Sequence, residues 1–493
     1  MPKQMKILLV SPEIHPFAKT GGLADIAGVL PKALRQMGHD IRVIMPKYKC
    51  INTAKFKIEP LLIEIKTPVG KLKKRGELFA GKLNKNIPSY FIGNDNYYYR
   101  DGLYNTSGGD FPDNAERFIF FCRSVLEACK ALSFRPDIIH CHDWQTGLIP
   151  VYLKTLYASD EFFKNTRTVF TIHNLGYQGN FWHFDVPLAN LPWELFTPEG
   201  VEFYGKFSFM KSGLIYADAL TTVSPTYSKE IRTEEFGFGL DGILRRRAKD
   251  LHGILNGVDY EEWDPEHDLH IKKPYSPKNT KGKQACRDAL VNLYSLRVEE
   301  KSPILCMVAR FSQQKGLDLI MEGIDRIMAT GAAFIMLGAG DAGYQSFFAN
   351  LSGQYKGRFV CKVGFDEASA HQIIAGSDII LIPSQYEPCG LTQIYGLKYG
   401  TVPVARAVGG LQDTVKEFNI RTCKGTGFKF KPFETKSLLK AIQKAVSTFK
   451  SKPQWRRLMA NGMAQDCSWD QSAKKYSQLY TKVLGSKPVK HFG

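Results

Sequence analysis

Short apolar runs alternate with amphipathic stretches along the whole chain. In the first half, the strand-like runs are KILLV (6–10), IRVIMP (41–46), PDIIH (136–140), RTVFTI (167–172) and ADALTTV (217–223). In the second half, they are SPILCMVA (302–309), AAFIMLG (332–338), RFVCKVG (358–364), DIILIP (378–383) and TVPVA (401–405). Strands that alternate with helices predict an α/β fold, in which parallel sheets are covered by helices on both faces.

Two segments of the first half refine this picture. Between Gly22 and Met37, the apolar residues of a predicted helix recur at three- and four-residue steps, at Leu23, Ile26, Ala27, Leu30 and Leu34. Pro31 is expected to kink or restart this helix, and Gly38 is placed to end it. Residues 66–93 instead indicate antiparallel strands with turns, which we expect to form an insertion in the first domain.

The length of the chain and a polar stretch near its middle indicate two domains. A chain of 493 residues is too long for one ordinary core. Residues 256–283 are polar and contain prolines, as is typical of a connection between domains. We expect two doubly wound domains that face one another across a cleft, with ligands at the carboxyl ends of the strands. The expected boundaries are 1–255 and 256–467, followed by a terminal segment, 468–493.

Composition and charge restrict the classes of function. The 66 basic and 48 acidic residues give a net charge of +18, which suits an anionic ligand but is equally typical of a solvated basic face. No nucleic-acid-binding motif is visible, so nucleic acid is not expected as a partner. No apolar run is long enough to cross a bilayer, and no signal peptide is recognisable, so no membrane partner is expected. The ten scattered cysteines predict reduced thiols and a cytoplasmic protein.

The stretch SPEIHPFAKTGGLAD (11–25) follows the first predicted strand. Gly21 and Gly22 let the backbone approach a ligand closely, and the following helix offers N–H groups at the positive end of its dipole. Lys19 adds a mobile positive charge. These features suit a phosphate or a cluster of sugar hydroxyls, although a plain glycine turn beside a solvated lysine has the same pattern.

Two motifs of the second half could also hold phosphate. In ARFSQQKG (309–316), Arg310 and Lys315 are placed to flank one pyrophosphate, with arginine as a planar fork and lysine as a point charge. In LGAGD (337–341), two glycines allow backbone contact with a phosphate or nucleoside. Surface cations beside a helix and an ordinary glycine turn are the alternatives.

The stretch SQYEPCGLTQ (384–393) is the sharpest of these signals. Pro383 and Pro388 stiffen a loop, and a helix is expected to begin near Gly390, with its N–H groups towards an anion. Glu387 would hold sugar hydroxyls. A carboxylate beside a phosphate site is reasonable when the ligand is a sugar attached to that phosphate, and the alternative is a glutamate that caps the helix.

Two histidine-containing stretches, HCHDWQTG (140–147) and TIHNLGYQG (171–179), follow strands of the first half. His140 and His142 flank one residue, but no second ligand cluster accompanies them, so we do not expect a metal site. His173 either meets a developing charge in the cleft or is a core histidine bonded to the backbone.

In this order, the motifs resemble those of the bacterial glycogen synthase and plastid starch synthase family. The resemblance covers essentially the whole chain and is carried by KTGGLAD (19–25), HDW (142–144), HNL (173–175), SPTY (224–227), NGVD (256–259), Arg310 with Lys315-Gly316, EPCGLTQ (387–393) and GGLQDTV (409–415). It implies the GT-B architecture of two facing Rossmann-like domains. It also implies a retaining glucosyltransferase that uses ADP-glucose.

The resemblance implies a role for each matching residue. The catalytic residues would be Lys19, His173, Arg310, Lys315 and Glu387. Further donor contacts would come from Gly21, Gly22, Asn256, Gly340, Tyr386, Cys389, Gly390, Leu391 and Thr392. The acceptor side would comprise Asp25, Asp143, Asn174 and Tyr177. The last helix, near 468–484, would cross back onto the first domain.

The family also implies the reaction. Glucose would pass from ADP-glucose to the nonreducing-end 4-hydroxyl of an α-1,4-glucan, glycogen or starch, with retention of configuration. Fixed cations would stabilise the charge that accumulates on ADP, so neither a metal ion nor another cofactor is expected. A processed plant form of such an enzyme would lie in the plastid stroma.

Three other functions stay open at this point: the same transfer with UDP-glucose, a catalytically inactive glycan-binding protein, and a nucleotide-dependent oxidoreductase. The absence of Gly-x-Gly-x-x-Gly after KILLV is evidence against the oxidoreductase. The chain departs from the family at Cys141, where alanine is familiar, at Trp182, where proline is frequent, and in ARAVGG (405–410). None of these departures removes a candidate catalytic residue.

Overall fold

The computed structural model describes residues 4–106, 108–364 and 366–486. The chain divides into two compact units. Unit 1 comprises the chain up to Val223, Ser228–Gly257 and the residues from Trp469 onwards, and unit 2 comprises Ser224–Tyr227 and Val258–Ser468. Residues 487–493 of the expected terminal segment lie outside the described residues.

The strands of unit 1 are β1 (Lys6–Val10), β2 (Asp40–Pro46), β3 (Glu59–Val69), β4 (Leu72–Leu83), β5 (Ile87–Gly93), β6 (Asn105–Thr106), β7 (Gly109–Asp110), β8 (Ile138–His142), β9 (Arg167–Ile172), β10 (Asn180–Phe181), β11 (Glu202–Phe203), β12 (Lys206–Ser208), β13 (Ala219–Thr222) and β14 (Leu251–Gly253). The main sheet has nine strands in the order β14-β13-β9-β8-β1-β2-β5-β4-β3. Strands β10, β12 and β11 form a small antiparallel sheet, and β6 pairs with β7.

The segment expected to be an insertion is instead the edge of this main sheet. All neighbours from β14 to β5 are parallel, whereas β4 is antiparallel to both of its neighbours, β5 and β3. The antiparallel strands were recognised correctly, but β3 begins at Glu59, before the expected start. Exposed and buried residues alternate along much of β3, as is typical of a strand with one solvated face, whereas the inner strand β1 is almost entirely buried.

The helices of unit 1 before the connection are α1 (Gly22–Gln36), α2 (Thr53–Phe56), α3 (Asp95–Tyr98), α4 (Asn114–Ala131), α5 (Leu148–Lys154), α6 (Asp185–Leu188), α7 (Phe209–Tyr216), α8 (Pro225–Glu230), which crosses the boundary between the units, and α9 (Asp241–Arg246). Helix α1 continues through Pro31 instead of restarting there. Leu30 and Leu34 are fully buried, and this packing offsets the hydrogen bond that proline cannot make. Gly38, at φ +92°, follows the end of the helix as expected.

Unit 2 is a six-stranded parallel sheet with helices on both faces. Its strands are β15 (Ile304–Val308), β16 (Ala333–Gly338), β17 (Phe359–Val363), β18 (Ile379–Ile382), β19 (Val402–Arg406) and β20 (Phe428–Phe430), in the order β17-β16-β15-β18-β19-β20. Its helices are α10 (Lys281–Leu293), α11 (Leu317–Met328), α12 (Ala342–Gln354), α13 (Glu367–Gly376), α14 (Thr392–Lys398), α15 (Gly409–Thr414), α16 (Thr435–Lys450) and α17 (Lys452–Met463). Two apolar clusters form its core, and β15 to β19 match the five apolar runs of the sequence closely, whereas β20 was not predicted.

The last helix, α18 (Trp469–Gly485), is part of unit 1. His39 Nε2 lies 2.9 Å from Ser477 Oγ, and the Tyr480 hydroxyl lies 2.8 Å from His140 Nδ1. Tyr476 and Tyr480 are fully buried, so α18 completes the core of this unit. Among the described residues, no helix has the length and apolar character needed to cross a membrane.

Candidate active site

A buried carboxylate holds the loop between β1 and α1. Glu13 is 4% exposed and accepts hydrogen bonds from the N–H of Thr20, from Thr20 Oγ1 (2.9 Å), from the N–H of Gly21 (3.3 Å) and from the Tyr104 hydroxyl (3.2 Å). Burial raises the pKa of Glu13, although these donors act in the opposite direction. Two N–H groups of the glycine loop are thus engaged by the protein itself, which the motif alone did not reveal.

Lys19, in this loop, was expected to contact the donor, and Asp25, in the first turn of α1, was expected on the acceptor side. The structure brings these two residues together. Lys19 Nζ lies 2.6 Å from Asp25 Oδ1, and both side chains are partly exposed. At Gly21, a side chain would meet no atom within 4 Å. The packing of the chain therefore does not demand glycine at this position, and space remains beside the backbone for a ligand.

Three histidines at the carboxyl ends of β8 and β9 form a buried row. His140 Nε2 lies 2.6 Å from Thr171 Oγ1, and His142 Nδ1 lies 2.8 Å from His173 Nε2. Burial lowers the pKa of His140 and of His173 to about 3 and that of His142 well below its usual value, so all three are neutral at physiological pH. Both ring nitrogens of His140 have partners, Thr171 and Tyr480, so the pair His140 and His142 does not present the donor set of a metal site.

His173 has one ring nitrogen in an unusual position. The residue is 8% exposed, and among the described residues Nδ1 has no hydrogen-bond partner. Because buried polar atoms are usually bonded, this nitrogen has hydrogen-bonding capacity that the described residues do not use. His173 is therefore buried, as a core histidine would be, yet it is not satisfied by the backbone.

Asp143 fixes the loop that carries His173. Its carboxylate accepts a hydrogen bond of 2.7 Å from the N–H of His173, and its backbone has φ +57°, which is uncommon for a residue with a side chain. Burial raises the pKa of Asp143 to about 8. The side chain thus has a positioning contact, and a contact with the acceptor stays a prediction for Asp143 and for its neighbours Asn174 and Tyr177. Of these, Tyr177 is 50% exposed.

Tyr104 connects the loop after β1 with the loop after β8 in unit 1. The hydroxyl of Tyr104 donates a hydrogen bond to Glu13, and its ring centroid lies 6.5 Å from that of Trp144, which follows Asp143.

Asn256 lies apart, after β14; it is 2% exposed, and its Oδ1 is without a partner in the part of the chain that the structure describes. Its expected contact with the donor stays a prediction.

In unit 2, Glu387 pairs with Lys315. Glu387 is 6% exposed, and its Oε2 accepts hydrogen bonds from Lys315 Nζ (2.7 Å) and Ser384 Oγ (2.8 Å). Helix α14 begins at Thr392, and Glu387 does not cap it. The structure thus joins two candidate catalytic residues that lie 72 positions apart, and it adds Ser384, which the sequence did not single out.

Close backbone contacts shape the loop from Glu387 to Gly390. A Cβ at Gly409 would lie 1.9 Å from the carbonyl oxygen of Glu387, and one at Gly410 would lie 2.0 Å from that of Cys389. The amide of Gln393 donates to the carbonyls of Cys389 (3.0 Å) and Gly390 (2.9 Å). Leu391 and Thr392 continue directly from this loop into α14, so the expected donor residues of this motif share one tightly held turn. The motif GGLQDTV was recognised in the sequence, but this role was not.

Arg310 lines an open pocket of about 600 Å³ at the carboxyl ends of β15 and β16. The other lining residues are Phe311, Ser312, Gln313, Ala339, Gly340, Asp341 and Tyr344. A Cβ at Gly340 would lie 2.2 Å from the carbonyl oxygen of Phe311, so glycine is required for the close approach of these two loops. Tyr386 is joined to the Arg310 loop because its carbonyl accepts a hydrogen bond from Gln314 (3.2 Å). A cation beside exposed backbone makes this pocket suitable for a phosphate-bearing ligand.

Two family models match the chain. The starch synthase catalytic domain matches residues 6–246, and glycosyl transferases group 1 matches residues 294–457. A glycogen synthase of Koribacter versatilis is 47% identical over 479 residues, which are 97% of this chain and 98% of the relative. A glycogen synthase of Syntrophotalea carbinolica is 44% identical over 480 residues, 97% of this chain and 99% of the relative.

Two solved structures are also similar to this chain. The catalytic domain of starch synthase IV from Arabidopsis thaliana, bound to ADP and acarbose, has a TM-score of 0.92 at 32% identity, covering 98% of this chain and 100% of that one. A sucrose-phosphate synthase from Thermosynechococcus elongatus has a TM-score of 0.63 at 18% identity, with the same coverage. The second likeness concerns the fold alone.

Proposed function

Because this chain belongs to the glycogen and starch synthase family, we propose that it uses ADP-glucose to lengthen an α-1,4-glucan. The membership rests on the two family models and on glycogen synthases that match nearly the whole chain. The GT-B fold and the activity of a glucosyltransferase acting on a glucan are thereby confirmed, and neither an inactive glycan-binding protein nor an oxidoreductase is favoured. The nucleotide, the residues that bind it and the independence from metal ions are the parts that we propose.

The largely buried ion pair of Lys315 and Glu387 carries the proposal of a donor site in unit 2. A cation alone suits any phosphate, but a carboxylate 2.7 Å from that cation suits a ligand with both a phosphate and sugar hydroxyls. Arg310 adds a second cation on the same loop, at the edge of its pocket. That the similar starch synthase structure contains ADP supports adenosine diphosphate as the leaving group.

We infer the following course for the reaction. As the bond between the anomeric carbon and the phosphate oxygen stretches, negative charge accumulates on ADP, and Arg310 and Lys315 stabilise it. The role expected for Lys19 stays a prediction. The acceptor 4-hydroxyl oxygen forms its bond to the anomeric carbon on the same face, and its proton passes to the departing phosphate oxygen. Neutral His173 offers Nδ1 for a hydrogen bond to the reacting sugar. Because fixed positive groups stabilise the leaving group, the reaction needs no metal ion.

The test compares two donors at equal concentration, ADP-glucose and UDP-glucose, each radiolabelled in the glucose, with glycogen as the acceptor. We expect faster incorporation from ADP-glucose, with the same rate when a chelator is present. Faster incorporation from UDP-glucose would overturn the proposed donor. A loss of activity with the chelator that is restored by magnesium would overturn the proposed independence from metal ions.

A further inference from the structure

A cluster of aromatic side chains lies on the surface of unit 1 between β10 and β11. Trp182, Phe184 and Trp193 are 64%, 55% and 47% exposed. The ring centroids of Trp182 and Phe184 are 4.6 Å apart, those of Phe184 and Trp193 are 6.2 Å apart, and those of Trp193 and Phe196 are 5.2 Å apart. His183 lies among them, and we call these five residues, Trp182, His183, Phe184, Trp193 and Phe196, the aromatic ledge.

Hydrogen bonds hold the backbone that carries the aromatic ledge. The carbonyls of Trp182 and His183 accept hydrogen bonds from the first residues of α6, at 2.9 and 3.0 Å. After α6, Asn190 donates to the carbonyl of Gly70 (2.7 Å) and accepts from Arg123 of α4 (2.7 Å). A backbone that is ordered before a ligand arrives lowers the conformational entropy lost on binding.

Packing also connects the aromatic ledge to the candidate active site of the same unit. Phe181, immediately before Trp182, packs on Trp144 with ring centroids 5.6 Å apart. Trp144 follows Asp143, the residue that fixes the loop of His173. At Gly179, a Cβ would lie 2.3 Å from the Trp144 ring, so the backbone is pressed against this tryptophan. The chain thus leads from the ring contact of Phe181 with Trp144 directly into the ledge at Trp182.

We propose that the aromatic ledge binds glucose units of the α-1,4-glucan that lie away from the end being lengthened. This inference rests on the proposed function, which makes such a glucan the acceptor. Exposed, contiguous apolar surface is unfavourable in water and marks binding sites. A pyranose ring presents C–H groups, which pack on the electron-rich faces of aromatic rings while the hydroxyls remain in water.

The orientations of the rings in the aromatic ledge suit a glucan. The rings of Trp182 and Phe184 are inclined by 59°, whereas those of Trp193 and Phe196 are inclined by only 16°. The ledge therefore presents rings in two orientations, and an α-1,4-glucan, which curves from one glucose to the next, can contact both. Trp182 is also one of the positions where this sequence departs from its family, so the ledge has a component particular to this chain.

The test uses the full chain with the double substitution Trp182→Ala/Phe184→Ala, and Tyr99→Ala as a matched control. Tyr99 is also an exposed aromatic residue of unit 1, at 60% exposure, but it lies outside the aromatic ledge. The dissociation constant for glycogen is measured without any donor, from mobility in native gels that contain glycogen. Initial rates are measured with glycogen and with maltotriose.

We expect the double variant to raise the dissociation constant and the KM for glycogen by about tenfold, as for the loss of two aromatic contacts at an interface. The KM for ADP-glucose and kcat at saturating glycogen should stay unchanged, and the effect with maltotriose should be smaller. Unchanged mobility, an equal effect on both acceptors, or a change of oligomeric state instead of glycogen binding would overturn the inference. Failure of the proposed function would instead appear in the wild-type chain, as an absence of transfer from ADP-glucose.

Discussion

Replacing Lys315 with glutamine removes the cation that lies 2.7 Å from Glu387 Oε2. Glu387 would keep the hydrogen bond from Ser384 Oγ but would lose its counter-charge. Breaking a fully buried ion pair costs about 3–5 kcal/mol, and breaking an exposed one costs about 0–1 kcal/mol. Because the Lys315 and Glu387 side chains are 18% and 8% exposed, this pair lies between these limits. We therefore expect the free energy of unfolding to fall by about 1–3 kcal/mol.

The proposed role of Lys315 at the leaving group predicts a separate loss of activity. Removing one donor that stabilises charge in the transition state lowers kcat by about 10²–10³. In the double variant Lys315→Gln/Glu387→Gln, two amides face each other and no unpaired charge remains. We therefore expect its free energy of unfolding to return to within about 1 kcal/mol of the wild-type value, while kcat stays low.

Denaturant unfolding and initial rates at saturating ADP-glucose separate the two effects when measured on the wild type, both single variants and the double variant. Ser384→Ala serves as the control, since it removes a hydrogen bond to Glu387 but leaves the cation in place. Its stability should fall by about 1 kcal/mol. A double variant that recovers activity together with stability would refute the reasoning, because Lys315 would then serve only to neutralise Glu387.

Three further predictions concern the residues that support the site. Glu13→Ala removes the hydrogen-bond acceptor that holds the glycine loop, so the KM for ADP-glucose should rise about tenfold or more. The surface control Glu64→Ala should leave this KM unchanged. An unchanged KM in Glu13→Ala would contradict the role of Glu13. Gly410→Ala puts a methyl group 2.0 Å from the Cys389 carbonyl oxygen, so kcat should fall with circular dichroism unchanged, and a wild-type kcat would count against the contact. Asp143 has its pKa raised to about 8, above about 3.9 in the unfolded chain, so its contribution to stability is present at low pH and is lost as the pH rises towards 8. The melting temperature of the wild type should therefore fall between about pH 4 and pH 8, and Asp143→Asn should make this fall smaller. Parallel plots of melting temperature against pH for the two proteins would refute this role of Asp143.

The inner strands of both sheets could be predicted because strands buried on both faces are continuous apolar runs, as in Ile304–Val308, whereas short strands such as β14 and β20 were not predicted. The edge strand Glu59–Val69 carries exposed residues between buried ones, so its start was not recognisable, nor was its place in the main sheet. Helix α1 passes through Pro31 because tertiary packing outweighs the local preference of proline.

The candidate site could be predicted only as far as its motifs follow strands. Lys315 and Glu387 were both found in this way, but their pairing depends on how β15 and β18 lie side by side. Glu13 was missed because a charged residue is ordinarily expected at the surface. Its position just after β1, a few residues before the Lys-Thr-Gly-Gly loop, could have indicated that Glu13 contacts this loop. For Gly410, the sequence showed the glycine but not the carbonyl of Cys389 that approaches it.

The last helix affects how this molecule can be divided for experiments. A fragment that ends at Gly257 contains every strand of the nine-stranded sheet, but it lacks the α18 residues Ser477 and Tyr480, which contact His39 and His140. Without α18, the apolar surface of unit 1 that this helix covers would be exposed to water, and such a fragment would aggregate when produced alone. A synthetic peptide of residues 469–486, added during refolding, would supply the missing layer, so the first half of the gene product is a candidate for fragment complementation rather than for simple truncation.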